Sequence, residues 1–157
     1  MAFYLQISGI KGAASDSKHK DWITVHNVNF QVDQAVSVRP GHVDDRYGSI
    51  PEISDFTFTK LADISSPKIL EASLGGKVYD KVVMHVCNSE SDSYIEYTLH
   101  KAIISGYDLE GANAEDGSHT RLQETFNINA IKLEMRYMPK SGAPVSTGYD
   151  LEKAALV

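Results

Sequence analysis

Cysteine is nearly absent. Cys87 stands alone among 157 residues, so no internal disulfide can form and no multi-cysteine metal site exists. It ends the apolar run Val82-Val83-Met84-His85-Val86-Cys87, where a free thiol ordinarily serves as a small buried hydrophobe. Long hydrophobic runs are missing too: nothing reaches the roughly 18 apolar residues of a membrane span, which argues against membrane insertion. The start, Met1-Ala2-Phe3-Tyr4-Leu5-Gln6-Ile7-Ser8-Gly9, has neither a basic leader nor an apolar stretch of about 7–15 residues. No Sec-type signal peptide is therefore expected; the chain is expected in the cytoplasm, and any export takes another route. Positive charge is in deficit, Lys plus Arg numbering 15 against 21 for Asp plus Glu, a net −6 with His neutral. Without a Lys/Arg cluster the chain suits neither a nucleic-acid backbone nor an anionic membrane surface.

What is present is ordinary for a globular protein: 42% hydrophobic and 23% charged residues. The length predicts a single domain, 1–157, able to bury about 70% of its unfolded surface. Period two dominates. Phe3, Leu5 and Ile7 alternate with Tyr4 and Gln6, and Ile131, Leu133, Met135 and Tyr137 with Lys132, Glu134 and Arg136. Further sets are Val82/Met84/Val86, Leu122/Phe126/Ile128, and Ile95/Tyr97/Leu99/Ile103 with Lys101 interrupting. Side chains on a strand point to alternate faces, so each set describes a strand with one buried side. With segments near 22–34, 52–61 and 145–151 this predicts about eight strands in a mainly β, two-sheet, barrel-like domain.

Between Ile23 and Val32 the apolar parity switches from odd (Ile23, Val25) to even (Val28, Phe30, Val32). A β-bulge near His26–Asn27 would restore one inward face and turn Asn29 and Gln31 away from the core. One helix is predicted from Ser66-Pro67 to Gly75, with Ser66 as cap, Pro67 in the first turn and Gly75 as terminator. Ile69, Leu70 and Leu74, with Ala72 and Ser73 beside them, give an apolar stripe that can lie on the sheet. Val36–Ile50 and Gly111–Thr120 read as loops, from their Gly, Pro, Asp and Asn content.

The search for chemistry comes back empty. Ser65 and Lys68 form a Ser-x-x-Lys pair at the helix start, yet the companion motifs of Ser–Lys acyltransferases are absent. Helix capping explains these serines more simply. No zinc-protease, phosphate-loop or nucleophile-elbow motif occurs. His42 with Asp44 and Asp45, and Asp116 with His119, lie in polar loops without a third or fourth ligand at useful spacing. No metal, cofactor or catalytic residue is therefore expected.

A resemblance then supplies a function. Ile10-Lys11-Gly12 and Lys18-His19-Lys20-Asp21-Trp22-Ile23-Thr24-Val25 resemble the N-terminal signature of the haemolysin-coregulated protein (Hcp) family of type VI secretion. Ser54-Asp55-Phe56-Thr57-Phe58-Thr59-Lys60-Leu61-Ala62-Asp63, running into Ser66-Pro67-Lys68-Ile69-Leu70-Glu71-Ala72, resembles its strand-to-helix core. Tyr97-Thr98-Leu99, Ile103-Ile104-Ser105, Glu124-Thr125-Phe126-Asn127, Tyr137-Met138-Pro139 and Gly148-Tyr149-Asp150-Leu151 continue the likeness in order.

That resemblance implies a β-barrel-like domain of two sheets flanked by one helix. It implies a homohexameric ring, stacked head to tail as the inner tube of a contractile secretion machine, without enzymatic activity. The implied partners are sheath, spike and baseplate proteins and effectors chaperoned in the lumen, with export through the type VI apparatus. Asn29 aligns with a lumen-facing position that contacts effectors, and Gln31 shares its parity. Val36–Ile50 aligns with the loop that reaches the next ring, which nominates Arg39, His42, Asp44, Asp45, Arg46 and Tyr47 as stacking residues. A glycine run is common there in the family; here the loop is charged. Two other readings stand beside the tube subunit: a β-barrel holding a small ligand in a polar interior, and a hydrolase using Ser65 and Lys68.

Overall fold

A computed structural model describes residues 1–38, 40–41, 46–88, 92–111 and 122–157. In chain order the elements are β1 (Ala2–Ile7), β2 (Ile23–Val25), β3 (Asn27–Asn29), β4 (Val32–Asp33), β5 (Val36–Val38), β6 (Arg46–Gly48), β7 (Glu52–Ile53) and β8 (Phe56–Leu61). Then come α1 (Ser66–Gly75), β9 (Val78–Cys87), β10 (Ser93–Glu110), β11 (Gln123–Asn129), β12 (Lys132–Tyr137), β13 (Val145–Asp150) and β14 (Ala155–Leu156). The fold is mainly β with one helix, as the alternation predicts. The described residues hold fourteen strands against the expected eight, because residues 22–34 divide into three short pieces and 52–61 into two, and β14 follows the last expected strand. In addition, Val36–Ile50, read as a loop, contains the β5–β6 hairpin.

The period-two sets line up across the ladders. Antiparallel pairing puts Leu5 beside both Ile23 and Met84, and Met84 beside Tyr97; one row over, Phe3 meets Val25 and Val86. On the other flank Phe58 faces Phe126 and Phe56 faces Ile128. Cross-strand apolar neighbours of this kind are what hold a sheet's inner face together. β10 organises the whole. One edge pairs with β9, while the other pairs first with β12 (Ile95 to His100) and then with β11 (Ile103 to Glu110). The resulting ten-stranded sheet runs β2–β1–β9–β10–β11–β8–β3, with β12–β13–β14 branching from β10.

The parity switch near His26 is real, but its form differs from a bulge. The chain bends at His26, leaving β1 as partner of β2 and taking β8 as partner of β3. His26 N–H donates to the Thr59 carbonyl at 2.8 Å, so the bend is pinned. No ladder joins β2 to β3, so the expected barrel-like sheet is not closed by hydrogen bonds, and only the covalent chain through His26 turns that corner. The interior is filled by Leu5, Ile23, Phe56, Phe58, Leu99 and Phe126, all nearly inaccessible to solvent. Around these side chains the described core is apolar, unlike the polar ligand-holding interior of the alternative reading.

A second parity switch falls at Lys101, whose φ is +51°. Leu99 points inward before it, then Ala102 and Ile104 after it, so Ile104 rather than Ile103 continues the core row. β9 turns in step: Val82 is inward and so is Tyr79, and Asp80 pairs with Lys101 across the kink at 2.7 Å.

The helix forms where expected but seats itself differently. Ile69 and Ala72 are buried, whereas Leu70 and Leu74 are exposed, the latter at 81%. The expected stripe is thus rotated towards Ala72. Its terminator is Gly76, whose φ of +61° suits glycine, and not Gly75. Ser65 occupies the cap position without a side-chain cap bond, because the local hydroxyls are engaged elsewhere.

Candidate functional site

The outward face of β3, β8 and β11 is built from amides and hydroxyls. Register places Asn29 beside Thr57 and Thr57 beside Asn127, and in the next row Asn27 beside Thr59 and Thr59 beside Thr125. Thr57 Oγ1 donates to Asn127 Oδ1 at 2.9 Å, and Gly106 leaves room for that amide, since a Cβ there would lie 2.8 Å from Asn127 Nδ2. Among the described residues charge enters at the margins, at Asp108 and Glu110 opposite Thr125 and Gln123 and at Asp55, which accepts from Asn129 and Ser105. Asn29 is exposed within this wall. Gln31 lies beyond β3, and its side-chain amide donates to both oxygens of Asp33 at 2.7–2.8 Å. Both residues are exposed, but Asn29 belongs to β3 and Gln31 to no strand.

From β3 the chain runs into an arm of two ribbons. β4 pairs with β7 through Val32–Ile53, and β5 with β6 through Val36–Gly48 and Val38–Arg46. Gln34 steadies its base by donating to the Ser49 carbonyl at 2.8 Å. Val32, Val36 and Ile50 are all more than half exposed, an unusual state for side chains of that type. Between arm and sheet lies a groove of about 690 Å³, walled by Phe30, Val32 and Ile53 on one side and Leu133, Met135 and Tyr149 on the other. Arg46 and Tyr47 are backbone members of β6; Arg39, His42, Asp44 and Asp45 lie outside the described residues.

Sequence reasoning overlooked two polar clusters. In the first, Lys60 and Glu124 are both buried and in register on β8 and β11. Lys60 Nζ contacts Glu124 Oε2 at 2.8 Å and Asp63 Oδ1 at 2.9 Å. Tyr107 Oη and Ser66 Oγ donate to Glu124 at 2.6 and 2.7 Å. Burial pushes the Glu124 carboxyl up, but hydrogen bonds from Lys60, Tyr107 and Ser66 outweigh it and hold the group below its ordinary range. Burial and the adjacent carboxylate push Tyr107 up to about 12. This cluster also disposes of the acyltransferase pair. Ser65 Oγ donates to Asp63, and Lys68 Nζ reaches away to Glu71 at 2.7 Å. Ser66 does lie 3.3 Å from Lys60 Nζ, but that ammonium is committed to two carboxylates and cannot serve as a base.

The second cluster joins the 11–22 loop to the outer face of β1, β9 and β10. His19 Nδ1 meets Asp16 Oδ1 at 2.9 Å, His19 Nε2 meets His85 Nδ1 at 2.9 Å, and His85 Nε2 meets Glu96 Oε2 at 3.0 Å. Cys87 Sγ lies 3.7 Å from His19 Nε2. A Cys–His–Asp line suggests nucleophilic catalysis, yet Cys87 is fully buried, and burial pushes its thiol up, away from the reactive thiolate. Among the described residues no group of three or more His, Cys, Asp or Glu side chains is placed to hold a metal ion. Both clusters had one available signal: charged or imidazole side chains falling in register on paired strands.

Comparison with known proteins gives this anatomy a context. Residues 4–137 match the family model described as type VI secretion system effector, Hcp. Protein hcp1 of Pseudomonas aeruginosa is 26% identical over 159 residues, covering 96% of this chain and 94% of that one. A solved structure described as a type six secretion system protein superposes with a TM-score of 0.91 at 21% identity, covering 99% of each chain. Hcp1 from Salmonella typhimurium superposes at 0.82 with 20% identity, covering 99% of this chain and 98% of that one.

Proposed function

Because the chain belongs to the Hcp family, and so to type VI secretion, we propose that it is an inner-tube subunit that closes with identical copies into a six-membered ring and stacks ring on ring. The observation that carries this reading is the family match from residue 4 to residue 137, which spans β1 to the last residue of β12. The surface supports it. An uncharged Asn/Thr wall offers donors and acceptors without fixed charge, suited to many passing polypeptides. Apolar side chains left exposed on the arm suit a contact between unlike surfaces of successive subunits, the geometry that builds open stacks.

In this arrangement Asn29 and Gln31 face the bore and touch effectors. Arg39, His42, Asp44, Asp45, Arg46 and Tyr47 meet the adjoining ring. Sheath, spike and baseplate proteins are the remaining partners, and the protein leaves through its own apparatus with no catalytic step. Light scattering on a sizing column tests the ring: six copies of 17.3 kDa give about 104 kDa, and a particle fixed near 17 kDa would refute it. Negative-stain images would show the rings directly. Asn29→Trp tests the bore assignment: the hexamer should persist while effector co-purification falls, and undiminished binding would remove Asn29 from the effector surface.

A further inference from the structure

The tube role makes no use of the line Asp16, His19, His85 and Glu96. Its three contacts, carboxylate to imidazole, imidazole to imidazole and imidazole to carboxylate, need three protons, one each. Two neutral imidazoles bring two, so the completely bonded line carries one further proton shared by the pair. A fourth proton places N–H groups on both sides of the 2.9 Å contact between His19 and His85, which turns a hydrogen bond into a like-charge clash.

We propose that this histidine pair is an acid-operated latch that holds the 11–22 loop against the outer face of β1, β9 and β10 and releases it when both imidazoles are protonated. The loop can move as one piece. Gly12 N–H donates to the Asp21 carbonyl at 2.8 Å, Ala14 N–H to the Trp22 carbonyl at 3.0 Å and Asp21 N–H to the Ala14 carbonyl at 2.9 Å. Asp16 is fixed within it by accepting from the Lys18 and His19 amides at 3.0 and 3.1 Å.

Every packed element contributes to the titration. β1 brings Tyr4, stacked on His19 with centroids 4.4 Å apart. β9 brings His85 and Cys87, and β10 brings Glu96. Asp92, the residue before β10, is paired with Lys18 at the exposed rim. Trp22 sits 5.0 Å from His19 and 4.7 Å from His85, centroid to centroid. Burial holds His85 below its ordinary 6.5 despite the opposing pull of Glu96. A depressed imidazole favours the folded arrangement above 6.5 and loses that advantage as pH falls through the lower folded value. The latch is thus shut while the pair carries at most one added proton and opens in acid, when the second one arrives.

The molecule carries its own reporters, one tryptophan and one cysteine. Trp22 emission and the reaction of Cys87 with 4,4′-dithiodipyridine would be followed on the full chain from about pH 8 to about pH 5. Below 6.5 the indole signal should change, and thiol labelling should rise about tenfold as the local opening becomes populated, with far-UV circular dichroism unchanged. His85→Gln should abolish the transition. Glu96→Gln should move its midpoint to lower pH, since the carboxylate that steadies the His85 cation is gone. The proposal is overturned by a silent Trp22 and Cys87 across this range, or by loss of circular dichroism at the same midpoint. A midpoint unmoved by Glu96→Gln overturns it equally, and that variant decides alone if His85→Gln fails to fold.

Discussion

Lys60 shows how much a single side chain can depend on its neighbours. It is fully buried and bonded to Glu124, Asp63 and Ser66. Removing one partner of such a buried pair leaves an uncompensated charge, typically a loss of 3–5 kcal/mol, while replacing both with apolar groups is often neutral. Glu124→Ala should therefore cost about 3–5 kcal/mol in denaturant unfolding, and Lys60→Met with Glu124→Leu should recover most of it. Equal losses in the single and double variants would mean that the ion pair is not the source. pH gives a second handle. Glu124 and Asp63 are both held below their ordinary values of 4.5 and 3.8, burial opposing and hydrogen bonds from Lys60, Tyr107 and the serines prevailing. Carboxyls depressed in this way contribute stability above their unfolded range and lose it as pH falls through the lower folded values. Acid titration of the double variant should accordingly be flatter than that of the parent below about pH 4.5.

At the scale of elements, the strands were readable wherever one face is buried and the other wet. The rows Leu5–Met84–Tyr97 and Phe58–Phe126 follow from alternation alone. Alternation reports the parity of a strand but not its partner, so the switch at His26 could be seen as a change of phase and not as a change of neighbour. The Lys101 kink misled for the same reason, and Ile103 was assigned the place that Ile104 holds. The β5–β6 hairpin was hidden because Val36 and Ser37, its described side chains on opposite faces, are both exposed, leaving no buried side there to impose a pattern. In the candidate site Asn29 was legible as an outward residue, whereas Gln31 left the strand and turned to Asp33. Because Val36, Ser37 and Gly48 lie outside the core, replacing residues 36–48 by a short turn should leave the particle six-membered and abolish sedimenting stacks. A variant that still stacks would place the ring-to-ring contact elsewhere.

For the whole molecule, the sequence's own chemistry pointed nowhere, and the ring followed from resemblance rather than from any residue pattern. A tube needs repeated surfaces, and surfaces formed by several strands leave no compact motif. Charge, however, scales visibly with assembly. Each subunit carries −6, so a proposed ring of six would carry −36 and every stacked ring would approach another of the same sign. Such repulsion acts over a Debye length, about 30 Å at 0.01 M salt and about 8 Å at 0.15 M. Stacking should therefore strengthen modestly as salt rises across that interval, with more material sedimenting at a fixed protein concentration. Opposite pairs on the arm, Arg39 and Arg46 against Asp44 and Asp45, would act in the other direction, because screening weakens attraction as readily as repulsion. The sign of the salt dependence separates the two. A steady fall in sedimenting material with added salt would mean that arm ion pairs, not net charge, govern ring stacking.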